Sequence, residues 1–417
     1  MYNSKRIKIS LDQILYVLFC AYAFSVSLEL ILEKLFYIDT VLKPFRVLSL
    51  AIIGTYLIRT LRTGIQVNGR EKQDVLLYLV FVYGIMVSCV QVVANVFSTA
   101  LFYNDLLLTG LHVLTFFIFK SLPFSKVQIR KIIRFFVAGV LCNAGYIFYT
   151  FILRIQFGRQ SGFIDNPNYA ALGLVAVMAY LLLRSNFTMK LWQRLANVAL
   201  ILFSLYIFVI TGSRAGLVMF LIILFLLFIF SSFRRKIFLF LLIGIITVQL
   251  VSMSTGYVSL GGSMVLINRV NKKMGSDTED VRFVIWRGLF RMLEDRGYWG
   301  LGIGQFKANF KQYYSDESHS LITEIVNRGY YLSPHNDYLA ILADYGLPSL
   351  VLYLSFLFVC FKKVIRRIFY PVEDDEDRFL YQYAFMLFCC LIVYGLSAEN
   401  FQHQLYWFLL MVSTKDY

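Results

Sequence analysis

The chain has 417 residues, 59% of them hydrophobic, with a formal net charge of +15. A soluble chain of that length would divide into two or three domains, but a mean hydropathy of +0.67 excludes a soluble reading and indicates a polytopic membrane protein. The basic residues fall in small clusters between apolar runs, the positive-inside pattern of membrane proteins, so no nucleic-acid partner is expected.

A membrane-crossing helix needs roughly 20 mostly apolar residues. Spans are therefore predicted near 11–31, 42–58, 75–97, 100–119, 132–153, 169–183, 195–211, 215–232, 236–253, 347–361, 379–397 and 401–414. The fold class is all-α, with about twelve transmembrane helices and one large helical exterior loop. The basic segment Lys5–Lys8 precedes the first apolar run, which continues past Ala21-Tyr22-Ala23, so an uncleaved first span is expected. All six cysteines lie in apolar segments, and no disulfide framework is implied.

If the N-terminus is cytoplasmic, strict alternation puts Arg59/Arg62/Arg70/Lys72, Lys120–Arg134, Arg184/Lys190/Arg194, Arg234–Lys236 and Lys362–Arg367 inside. The acidic run Glu373–Asp377 also falls inside and reads as a solvated surface stretch. The segment 254–346 then faces outward as a cap between predicted spans 9 and 10 of a single membrane domain, 1–417.

Within the cap, Ser276-Asp277-Thr278-Glu279 has capping-box spacing and Val281, Ile285, Leu289 and Met292 recur at helical intervals. A helix over 277–296 is predicted, ended by Gly297 and displaying Arg282, Arg287, Arg291 and Arg296. Arg291 and Arg296 read as a solvated basic face. Arg282, four residues before Trp286, is the better candidate for holding a sugar or phosphate. The glycine-rich stretch Gly297–Gly304 lacks a preceding strand and a Walker lysine, and reads as a tight aromatic-bearing turn rather than a nucleotide site.

Thr211-Gly212-Ser213-Arg214-Ala215-Gly216 places an arginine between two apolar runs, where it either snorkels or meets an anion. Flanking glycines tilt the reading toward an anion site. Ser333 reads as an N-cap with Pro334 in the first helical position and Gly346-Leu347-Pro348 as the stop. His335 would then occupy a first helical turn, where the dipole disfavours imidazolium. His112, His319 and His403 have no comparable context. No metal cluster of suitable spacing and no Ser/His/Asp arrangement is present in the sequence, so a metal-independent site is expected.

Asn166-Pro167-Asn168, Gly212–Gly216, Arg282 with Trp286, Gly302/Gly304, and His335-Asn336 followed by Gly346 occur in an order that resembles a known family. It is the bacterial O-antigen ligases and polysaccharide polymerases, the Wzy/WaaL-type membrane glycosyltransferases. The resemblance implies a GT-C-like fold in the bacterial cytoplasmic (inner) membrane, with the active site facing the periplasm or cell exterior. It further implies transfer of glycan from an undecaprenyl-diphosphate-linked oligosaccharide to a glycan acceptor, without nucleotide sugar, metal or other cofactor. Arg214 and Arg282 would hold the carrier diphosphate, with Arg159, Arg287, Asn168, Trp286 and Asn336 as further diphosphate- or substrate-binding residues and His335 as the catalytic residue. Membrane lipid and other polysaccharide-assembly proteins are the remaining implied partners.

Polymerase activity, joining lipid-linked repeat units into an O-antigen or capsule, is the leading expectation. Ligation of the glycan to lipid A core is the alternative within the family. A transporter or flippase of lipid-linked oligosaccharide is the alternative from another class, but the charged spans and inverted repeats it needs are not evident.

Overall fold

The computed structural model describes residues 10–37, 43–64, 71–93, 97–153, 155, 159–185, 189–230, 281–314, 332–369, 374–399 and 401–416. Among them every regular element is a helix: α1 (Leu11–Ser25), α2 (Ile31–Phe36), α3 (Pro44–Thr63), α4 (Lys72–Val93), α5 (Thr99–Ser121), α6 (Lys126–Ile152), α7 (Pro167–Arg184), α8 (Leu191–Thr211), α9 (Arg214–Phe230), α10 (Val281–Arg296), α11 (Gln305–Tyr313), α12 (Asp337–Phe369), α13 (Asp375–Gly395) and α14 (Gln404–Thr414). Eight of these, α3 to α8 with α12 and α13, are long and apolar enough to cross a membrane. The chain is a polytopic helical membrane protein. Helices α1 and α9 are apolar but shorter, at 15 and 17 residues. The predicted span 236–253 and the capping box at Ser276–Glu279 lie outside the described residues.

Local sequence starts several helices. Ser10 Oγ accepts from the Gln13 amide at 3.2 Å while Gln13 Oε1 accepts from the Ser10 amide at 2.9 Å, and Ser125 with Gln128 repeats the pair at the head of α6. Each such cap stabilises a helix start by about 1 kcal/mol. Asn166 caps α7 through its side chain, with Pro167 in the first helical position.

Helix α7 lies at the centre, packed against α6, α8, α9 and α13, while α12 lies along α4 and α1 lies between α3 and α6. One end of the bundle is knit by ion pairs between sequence-distant helices. Lys120 meets Asp74 at 2.5 Å and Glu71 at 3.1 Å, Lys363 meets Glu71 at 2.6 Å, and Arg130 meets Glu376 at 2.5 Å. Asp377 pairs with Lys126, and Asp374 caps α13. The described part of the acidic run lies at the surface as expected, Asp374 to Glu376 being exposed, and there it also pairs with the basic start of α6 and begins a helix.

The opposite end carries the cap. Helices α10 and α11 enclose a second, smaller core of Val284, Ile285, Leu289, Met292, Leu293, Phe306 and Phe310, closed by Leu342 and Ala343 of α12. Helix α12 breaks at Gly346, whose φ of 82° and ψ of 170° interrupt the helix. Into that break fits the glycine-rich turn. Leu301 and Gly302 donate to the carbonyls of Ala343 and Asp344 at 2.8 and 2.9 Å, and Leu347 donates to Tyr298 O at 2.8 Å. A Cβ on Gly346 would lie 2.2 Å from Trp299 O, so the approach requires glycine. Ile303 donates to Ser88 Oγ, and Gly304 and Phe306 donate to the Asp344 carboxylate. These amides are engaged by the protein itself and hold the turn against the break in α12.

The cap end is sunk into the bundle. Asp105, six residues into α5 and so about 9 Å along it, is 3% exposed and bonded to polar partners there. Helix α14, at 11 residues only about 16 Å long, joins both ends. His403 at its start faces Glu29 at 3.7 Å, and Lys415 beyond its last turn donates to the carbonyls of Phe119, Lys120 and Leu122 at the end of α5.

Candidate functional site

The turn from Ser333 to Asn336 is built differently from the sequence expectation. The helix starts at Asp337, and Asn336 rather than Ser333 caps it, its Oδ1 accepting from Leu339 N at 3.1 Å and its carbonyl from Ala340 N at 2.9 Å. His335 therefore precedes the helix instead of lying in its first turn. Its φ of 50° is left-handed, a conformation that costs a non-glycine residue about 1 kcal/mol or more and persists where neighbours impose it. They do so here from two sides. Trp286 Nε1 donates to Pro334 O at 2.9 Å, and Asn336 Nδ2 donates to Leu396 O at 3.2 Å.

Part of the His335 ring is open to solvent, and Nδ1 lies 3.5 Å from Ser333 Oγ. Crowding by its neighbours, and after that the Arg282 guanidinium, hold the imidazole below its ordinary value of 6.5, with Glu399 opposing and Lys307 adding to the depression. The depression comes from the crowding of neighbouring groups and from a nearby cation.

Arg282 reaches from α10 to Ser397 O at 3.2 Å. Arg159, in the stretch before α7, donates to Asn168 Oδ1 at 2.7 Å and to Thr211 O at 3.1 Å. Asn168 Oδ1 also accepts from Ser213 Oγ at 2.9 Å, and Ser213 Oγ in turn accepts from Gly216 N at 3.1 Å. The Gly212–Gly216 motif is accordingly a helix stop and a helix start folded back on α7: a Cβ on Gly216 would lie 2.8 Å from that of Ala171. Arg214, the first residue of α9, is exposed. Arg287 is exposed too, about 140° around the α10 axis from Arg282. Arg296 holds α10 to α11 by donating to Tyr313 OH at 2.9 Å.

A buried charge cluster had no local signature in the sequence. Lys307 of α11, 15% exposed, lies 3.2 Å from Glu399, 3.4 Å from Asp105 and 2.9 Å from Gln402 Oε1. Burial works against its charge, but Glu399, Asp105 and Asp344 outweigh it and raise the ammonium above its ordinary value. Tyr169, next to Asn168, donates to Glu399 O at 2.6 Å and stacks on His403 with centroids 3.5 Å apart. Its edge also meets Tyr394, and Arg159 and Arg282 both lie close enough to act electrostatically on that buried phenol. The structure thus gathers Arg159, Asn168, Arg282, Trp286, His335 and Asn336 at the sunken end, with Lys307, Glu399 and Tyr169 between them.

Arg159, Arg282, His335 and several amide and hydroxyl groups thus lie at one end of the bundle of a polytopic membrane protein. Residues 198–354 match the family model described as O-antigen ligase. The match runs from α8 through the first part of α12, taking in Ser213, Arg214, Arg282, Trp286 and His335, and is a likeness over that segment, less than half of the chain. No curated protein matches the chain.

Proposed function

We propose that the protein is a surface-polysaccharide polymerase of the bacterial cytoplasmic membrane. It transfers glycan from an undecaprenyl-diphosphate donor to a sugar hydroxyl of another lipid-linked glycan, without a metal, at a site facing the periplasm or cell exterior. The observation that carries this reading is the approach of Arg159 and Arg282, from separate stretches of the sequence, to the Tyr169–Tyr394 pair, with Arg282 also acting on His335. A diphosphate leaving group needs donors from more than one direction, in a site where water does not screen them.

In the transfer, the acceptor hydroxyl oxygen forms a bond to the anomeric carbon as the bond from that carbon to the diphosphate oxygen breaks. The hydroxyl proton passes to the neutral His335 imidazole, and the guanidinium groups meet the charge that develops on the departing diphosphate. In this reading Arg214, exposed at the head of α9, extends the same anion site from the Asn168–Ser213 side. Ligation to lipid A core is a second reading, favoured by the description of the matching family.

The deciding experiment supplies purified protein with lipid-linked repeat units, with and without lipid A core. A ladder of longer lipid-linked glycans is expected. Transfer to the core with no ladder establishes the ligase instead, and no transfer to either acceptor removes the enzyme reading.

A further inference from the structure

Tyr394 stands one residue before the last of α13, with 0% of its surface exposed. Its hydroxyl has no hydrogen-bond partner among the described residues. Buried phenols ordinarily find one, and the neighbouring Tyr169 has done so through Glu399 O. The surroundings of Tyr394 are those of the anion site on both sides. Its carbonyl accepts from Ser397 N at 2.9 Å and Ser397 Oγ at 3.1 Å, and Ser397 O accepts from Arg282 Nη2. On the other side its ring meets Tyr169 edge-on, with centroids 5.9 Å apart, and Tyr169 follows the Asn168 that receives Arg159. Asp337 is the anionic group nearby, already accepting from Phe401 N at 3.2 Å.

We infer that the Tyr394 hydroxyl is a third donor of the diphosphate site, donating to a phosphate oxygen of the lipid-linked substrate between Arg159 and Arg282. The inference rests on the proposed transferase reading. A neutral donor between two guanidinium groups adds a hydrogen bond to the anion without adding a further repelling cation. A phenol so placed costs the free protein an unmade bond, and the bond is made when the anion enters. A tyrosine serving only the core would behave in the opposite way, because deleting an unsatisfied hydroxyl is neutral or stabilising.

The test is Tyr394→Phe in purified protein, compared with wild type for kcat and KM with lipid-linked donor and for thermal midpoint. A fall of roughly 10- to 100-fold in kcat/KM is expected, the loss of one hydrogen bond to a charged acceptor, with an unchanged or higher midpoint. Wild-type kcat/KM overturns the inference. Arg282→Lys in parallel separates the two levels. If it too transfers normally, the diphosphate reading itself falls; if it is impaired while Tyr394→Phe is not, only the role of Tyr394 falls. A second measurement is independent of that variant. In otherwise wild-type protein with 3-fluorotyrosine at position 394, inorganic pyrophosphate should shift the fluorine resonance, and a resonance unmoved at concentrations that inhibit transfer overturns the inference.

Discussion

The indole N–H of Trp286 donates to the Pro334 carbonyl at 2.9 Å across 48 residues of sequence, tying the cap helix to the left-handed turn at His335. Trp286→Phe keeps an aromatic ring and loses this bond. Since a hydrogen bond contributes about 0.5–1.5 kcal/mol and the turn stores strain, kcat should fall by up to about tenfold, one decade per 1.4 kcal/mol, with protein level unchanged. Steady-state kinetics in membranes containing equal protein measure this. An unaltered kcat would mean that the Asn336 to Leu396 bond alone holds the turn.

Arg214→Lys and Arg282→Lys keep the charge and lose the planar fork. Transfer should drop by roughly 10-fold or more in each, given the greater strength of bidentate charge-assisted bonds, with protein level unchanged. Normal activity in Arg282→Lys would remove the diphosphate assignment, and normal activity in Arg214→Lys alone would remove the part given to Arg214.

The depressed proton affinity of His335 sets a pH dependence. A general base must be neutral, so the acid limb of kcat/KM should lie below the ordinary 6.5 rather than at it. Arg282→Gln removes a charge that lowers the ring's affinity and should move the limb upward. Glu399→Gln removes one that raises it and should move the limb further down. The same sign governs stability: below about 6.5 the unfolded chain binds this proton more readily than the native one, so the group's protonation disfavours the fold as the pH falls. A limb at or above 6.5 in the wild-type protein would contradict the downward shift that crowding and Arg282 impose on the ring.

Hydropathy made the helices legible because membrane spans are a property of contiguous sequence, and Asn166-Pro167 marked the head of α7 for the same local reason. The start of α12 was misread because Ser333-Pro334 and Asn336 are competing local signals. The choice was made by two distant contacts, Trp286 on Pro334 and Leu396 on Asn336. Lys307, Asp105, Glu399, Tyr169 and Tyr394 were not legible at all. They lie on four separate stretches with no spacing in common, and only the packing of α5, α7, α11 and the end of α13 with its connection to α14 brings them together. Of the arginines picked out from sequence, Arg159 and Arg282 reach to Asn168 and to Ser397 O at the cap end, whereas Arg287 stands on the exposed face of its helix.

Lys307 is 15% exposed, and its partners Asp105 and Glu399 are 3% and 12% exposed. Lys307→Met should destabilise the protein by about 3–5 kcal/mol, because it strands buried carboxylates. Adding Glu399→Gln should recover part of the loss. Thermal unfolding of the detergent-solubilised variants checks both, and a single variant as stable as wild type would show that the cluster is hydrated.

The most direct measurement is the transfer rate of His335→Ala and His335→Gln with lipid-linked donor, in membranes holding equal protein. If the imidazole accepts the acceptor-hydroxyl proton, His335→Ala should lose roughly 100-fold or more, the low end of a general-base contribution, and His335→Gln should not restore it. Near wild-type transfer by His335→Ala would contradict the catalytic role, and much of the activity surviving in His335→Gln would reduce the ring to a hydrogen-bonding one.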